Sequence, residues 1–231
     1  MLLCYVTDRH LLGRELPSGT ASSNHLLKQI ERAATAGIDW VQIREKDLTA
    51  RELLELTRRA IAVVSTAANS RPQPNTPMNV VTRVLVNDRI DVAIAAGAAG
   101  VHLGGGSVPI REVVRWCRAG NAPPDFLVGA SCHGLDEIIE AERAGANYIF
   151  FGPVYETPSK ISFGKPQSTE KLAEACRRVG VSVLAIGGVN DENASACLGA
   201  GAAGIAAIRL FQEPADDATL RGIVRRLRAI P

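Results

Sequence analysis

Two textures alternate along the chain. Short, mainly apolar runs occur at residues 2–6, 40–43, 83–86, 101–103, 126–130, 148–151, 181–186 and 205–207. Runs this short, without apolar-polar alternation, read as strands buried on both faces, as in a parallel sheet. Between them, apolar positions recur three or four residues apart, which predicts helices at about residues 22–36, 49–66, 88–97, 108–118, 134–144, 168–179, 190–199 and 216–229. Thr49-Ala50-Arg51-Glu52 is a capping box, and Asn190 precedes an acidic first turn.

One junction recurs. Ala36-Gly37, Ala96-Gly97, Ala144-Gly145 and Ala200-Gly201 each close a helical stretch shortly before an apolar run, at spacings of 60, 48 and 56 residues. Glycine just past a helix end is a common stop signal. Each interval accommodates two strand-helix units, so the repeat implies eight of them and a (β/α)8 TIM barrel formed by residues 1–231 as a single domain. Residues 65–77, rich in Ser, Asn, Gln and Pro, break the pattern. They read as a surface insertion before the third strand, on the barrel face away from the expected site.

Composition narrows the function classes. At 231 residues such a domain buries about 70% of its unfolded surface and needs no covalent staples. Lys and Arg total 26 against 24 Asp and Glu, a balance that argues against a nucleic-acid or membrane partner. Five cysteines without a paired spacing suit reduced thiols in a cytoplasm, and neither a spanning segment nor a signal peptide is expected. The sequence leaves a homo-oligomer open.

Barrel chemistry belongs at the carboxyl ends of the strands. Gln42, Arg44 and Lys46 share one side of the second strand's end by the period of two, and together suit a di- or polyphosphate unless Glu45 and Asp47 neutralise them. Asn87 and Asp88 end the third strand; Asp88 suits a hard cation or the cap of the next helix. Ser107, just before Val108-Pro109, reads as the cap of the fourth helix, and His102 as a barrel-layer residue. Ser131 and His133 flank the end of the fifth strand, where His133 is a candidate proton shuttle, while Cys132 between them points into packing. Thr157, Ser159 and Lys160 form an anion-seeking loop after the sixth strand. Gly187-Gly188 offers bare backbone to a phosphate after the seventh, ahead of a helix expected from Asn190, and Ile208-Arg209 ends the eighth.

These blocks, above all Gln42-Ile43-Arg44-Glu45-Lys46-Asp47, Asn87-Asp88-Arg89, Thr157-Pro158-Ser159-Lys160 and Ala185-Ile186-Gly187-Gly188, resemble the thiamine phosphate synthase and TenI family over nearly the whole chain. The resemblance implies a site joining two phosphorylated small molecules. A pyrimidine methyl diphosphate would lie on Gln42, Arg44, Lys46, Asn87, Ser131 and Lys160, with magnesium on Asp88. A thiazole phosphate would lie on Thr157, Ser159, Gly188 and the backbone of Ile208-Arg209. Two positions depart from the family's synthases. Gly105-Gly106-Ser107 stands where they carry Gln, an acid and a second metal-binding Asp, and Arg209 stands where they carry Ser. Both departures suit the family's thiazole tautomerase branch, in which a His at the position of His133 moves a proton without metal. A binding protein for thiamine precursors that has lost its chemistry is the third alternative.

Overall fold

A computed structural model describes residues 1–12, 20–69, 82–157 and 166–230. Eight strands, β1 (Leu2–Val6), β2 (Trp40–Ile43), β3 (Arg83–Asn87), β4 (Gly100–Leu103), β5 (Leu127–Cys132), β6 (Tyr148–Phe151), β7 (Ser182–Ile186) and β8 (Gly204–Ala207), close in sequence order into a parallel barrel. The closing pair sets Leu3 of β1 against Ile205 of β8. The helices between the strands are α1 (Thr20–Ala36), α2 (Ala50–Asn69), α3 (Ile90–Ala96), α4 (Ile110–Trp116), α5 (Leu135–Arg143), α6 (Ser168–Arg178) and α7 (Ala194–Gly199). After β8 come a short helix α8 (Arg209–Gln212) and the closing helix α9 (Asp217–Arg228).

The repeat has a backbone cause. Gly37, Gly97, Gly145 and Gly201 all adopt left-handed φ, between 73° and 102°, which ends each helix and turns the chain into the next strand. Cys4, Val6, Trp40, Leu85, Tyr148, Phe150, Leu184 and Ala206 form one cluster, with Ile186 and Ile208 packed against it. A second, larger cluster contains the alternate strand residues, such as Leu3, Tyr5 and Ile149, together with helix residues such as Leu26, Leu172 and Leu227. Each fully buried leucine or phenylalanine contributes about 2 kcal/mol by area removed from water.

Several boundaries differ from expectation. Helix α2 runs through Ser65 and Thr66 to Asn69, because both hydroxyls bond back to the carbonyls of Ile61 and Ala62, and Ala67 and Ala68 are buried. The rest of the expected insertion lies outside the described residues. Helix α7 starts at Ala194, since the Asn190 side chain folds the preceding residues into a turn by accepting from the amides of Glu192 and Asn193. Helix α8 is too short to leave a periodic signature. Among the described residues no helix is long and apolar enough to cross a membrane.

Candidate active site

A cleft of about 700 Å³ opens at the carboxyl ends of the strands. Its polar wall comes from β2 to β5 and carries Gln42, Arg44, Asn87, His102 and Ser131. Val6, Phe150, Ile186 and Ala206 line it as apolar surface, and the opposite wall includes Thr157, Gly187, Gly188, Ile208 and Arg209. A cleft of this size, apolar with a few convergent polar groups, is the usual form of a small-molecule site.

The polar wall is ordered by one anion. The Asp88 carboxylate accepts from the Asn87 amide at 2.6 Å. The Asn87 side-chain oxygen in turn accepts from Gln42 Nε2 at 2.8 Å. Each amide therefore points its donors toward Asp88 and its oxygen away. The last oxygen in the row, Gln42 Oε1, is buried with no partner among the described residues. An unpaired buried acceptor costs about 1–3 kcal/mol, which a donor brought within reach of it would recover.

Arg44 also lines the cleft, whereas Lys46 is exposed and stands outside it. Strand β2 ends at Ile43, so the period-two argument does not reach Lys46. Glu45 and Asp47 do not neutralise this pair; both bind Arg9, with Arg9–Glu45 at 3.0 Å. Among the described residues neither Arg44 nor Lys46 lies within ion-pair distance of a carboxylate. Burial pushes the Glu45 carboxyl above its ordinary value, against the opposing hydrogen bonds of Thr7 and Arg9. The role of Arg9 as the clamp between the ends of β1 and β2 had no sequence signal beyond its place after the first strand.

Ser131 faces the cleft from β5, and His102 holds it from β4, with Nε2 2.8 Å from the serine hydroxyl. His102 is a barrel-layer residue, as expected, and it also lines the cleft. His133 does not line the cleft; its Nδ1 meets the carbonyl oxygen of Gly152, and its amide is tied to Glu137 at 2.7 Å. Cys132 is buried, and burial raises its thiol to about 12, which suits packing rather than nucleophilic attack.

Gly187 and Gly188 have φ of +91° and +69°. A Cβ at Gly187 would sit 2.5 Å from Pro153, and one at Gly188 2.5 Å from the Glu156 carbonyl oxygen. Only glycine fits, and the cleft wall there is backbone. Arg209 lies at the start of α8, 3.5 Å from Glu213, with both side chains about half exposed at the rim. Ser159 and Lys160 lie outside the described residues.

A family model described as thiamine monophosphate synthase matches residues 16–211. The chain belongs to that family. It is 38% identical over 206 residues to a putative thiamine-phosphate synthase of Geobacter sulfurreducens, covering 89% of this chain and 84% of that one. It is 34% identical to the thiamine-phosphate synthase of Clostridium novyi, covering 89% and 88%. The thiamine phosphate pyrophosphorylase structure from Pyrococcus furiosus superimposes with a TM-score of 0.76 at 29% identity, over 99% of this chain and 94% of that one. As a member of this family the chain is a transferase-type enzyme of thiamine biosynthesis.

The resemblance implies magnesium at Asp88, and the donors there do not fit a resident cation. Asp88 Oδ1 accepts from the Gly104 amide at 3.1 Å and from the Ser107 hydroxyl, while Oδ2 accepts from Asn87. Ser107 is therefore not the cap of α4, which starts behind Pro109 with no side-chain cap. Nor does Asp88 cap α3; that position is Arg89. Among the described residues no three His, Cys, Asp or Glu side chains gather where they would hold a metal ion.

Proposed function

We propose that this enzyme joins an aminopyrimidine methyl diphosphate to a thiazole phosphate and releases pyrophosphate. The observation that carries the reading is Gln42 Oε1, a buried acceptor of a cleft residue with no donor among the described residues, on the same wall as Arg44, a cation with no carboxylate partner among them. An exocyclic amine next to a diphosphate supplies both missing partners. In the reaction the bond between the pyrimidine methylene carbon and the diphosphate oxygen breaks, and its electron pair leaves on pyrophosphate. The lone pair of the thiazole nitrogen then makes the new carbon–nitrogen bond.

The chain's contribution is positioning and charge. Arg44, together with Lys160, meets the negative charge that grows on the leaving group. Ser131, steadied by His102, contributes a hydroxyl to the same wall. Phe150 and Ile186 form apolar surface that keeps water from competing for the electron-poor methylene carbon. Thr157, Ser159, Gly187, Gly188 and the backbone at Ile208 take the thiazole phosphate, with Arg209 at its rim. Magnesium enters this reading as the ion that accompanies the diphosphate.

The tautomerase alternative depends on His133, whose ring faces a carbonyl rather than the cleft, so nothing in the geometry favours it. The reading is tested by binding the aminopyrimidine diphosphate and its analogue with hydrogen in place of the amine. The wild type should prefer the amine about tenfold, the worth of one hydrogen bond. Gln42→Met should erase that preference. Equal affinity of the wild type for both ligands would remove the Gln42 contact from the account.

A further inference from the structure

We infer that the free enzyme has no standing divalent-cation site and takes its cation only together with a diphosphate. The inference rests on the diphosphate reading of the cleft and concerns how the charge there is completed. A carboxylate offers two lone pairs on each oxygen. On Asp88, Oδ1 accepts from the Ser107 hydroxyl and takes only a share of the Gly104 amide, which lies 3.1 Å away and nearer to Ser107 Oγ at 2.7 Å, while Oδ2 accepts from Asn87 at 2.6 Å. Each oxygen is thus already engaged by a protein donor, and among the described residues one carboxylate is all that this site brings to a cation. A magnesium-like ion requires about six oxygens in octahedral array, so most of them must come from phosphate oxygens and water.

Ser107 makes the difference. A carboxylate at that position would face Asp88 as a like charge, and a cation would relieve the repulsion. A hydroxyl donates to Asp88 instead, so the free enzyme is already satisfied and gains little from a bare ion. Asp88 is half-buried and does not itself line the cleft, but Asn87, bonded to it at 2.6 Å, does. A diphosphate on Arg44 beside Asn87 would therefore bring its oxygens to the shell that Asp88 begins.

Mn2+ binding, read by equilibrium dialysis and by its electron-spin resonance signal, tests this without turnover. Wild type, Asp88→Asn and Ser107→Asp are each measured with and without inorganic pyrophosphate. Asn is chosen because residue 88 has φ +61°, a left-handed conformation that Asp and Asn tolerate. The wild type should retain no Mn2+ alone and one ion per chain with pyrophosphate, a gain of tenfold or more (roughly the step from one carboxylate to a shared phosphate shell). Asp88→Asn should lose that gain while still binding pyrophosphate. Ser107→Asp should bind Mn2+ alone, and its melting temperature should rise with Mn2+ where the wild type's does not. Stoichiometric Mn2+ on the free wild type, or no gain in Ser107→Asp, would overturn the inference and leave the proposed reaction standing. Failure of pyrophosphate itself to bind would overturn both.

Discussion

The imidazole of His102 holds the hydroxyl of Ser131 at 2.8 Å, and its other ring nitrogen meets the buried hydroxyl of Tyr148 at 3.1 Å. Burial pushes the Tyr148 phenol well above its ordinary value, so it keeps its proton. Among the described residues that hydroxyl has no other partner, so it donates to Nδ1. A neutral ring that accepts at Nδ1 carries its proton on Nε2, within reach of Ser131, and would leave the serine's own proton for a ligand.

This row makes Ser131 and His102 one unit. Ser131→Ala and His102→Gln should each lower kcat/KM by about tenfold, and the double variant should be no worse than the weaker single. Additive losses in that cycle would mean that the two residues act separately. Nitrogen-15 shifts of His102 give an independent reading, and a proton on Nδ1 would contradict the order of donation.

Arg44 and Lys46 separate a cleft cation from a surface cation. Arg44→Ala should weaken pyrophosphate binding by about a hundredfold, in line with a charge-assisted contact of 1.5–3 kcal/mol. Lys46→Ala should change it by less than about threefold, as for an exposed charge. Comparable losses at the two positions would place Lys46 back in the site.

Glu45 links stability to pH. Its carboxyl is raised chiefly by burial, so the folded chain holds that proton more tightly than the unfolded chain does. The associated stability is full below the ordinary glutamate value, about 4.3, and is lost as pH climbs through the raised one. Urea denaturation across this window should therefore show wild-type stability falling with pH, with a smaller fall in Glu45→Gln. Identical slopes for the two proteins would dissociate Glu45 from the effect.

The barrel was readable because its causes are local. Apolar runs buried on both faces and glycines after Ala36, Ala96, Ala144 and Ala200 write the eight units directly into the chain. Cleft residues at strand ends followed from the same reading, and Gln42, Arg44, Asn87, Ser131, Thr157, Gly187, Gly188, Ile208 and Arg209 all line it. What escaped depends on where a side chain turns once the strand has ended. Lys46 leaves the cleft because β2 stops at Ile43, and His133 turns to Gly152 because β5 stops at Cys132. Ser107 carries the composition of a helix cap, yet a carboxylate from the neighbouring strand end claims its hydroxyl. The Arg9 clamp on Glu45 and Asp47 joins residues far apart in sequence and has no periodic signature.

The most direct measurement mixes the purified enzyme with aminopyrimidine methyl diphosphate and thiazole phosphate, with magnesium present, and follows pyrophosphate and thiamine phosphate together. The account predicts that the two products appear in equal amounts and that neither forms when one substrate is omitted. Folded enzyme that binds both substrates and forms neither product, or that isomerises a thiazole phosphate instead, would contradict it.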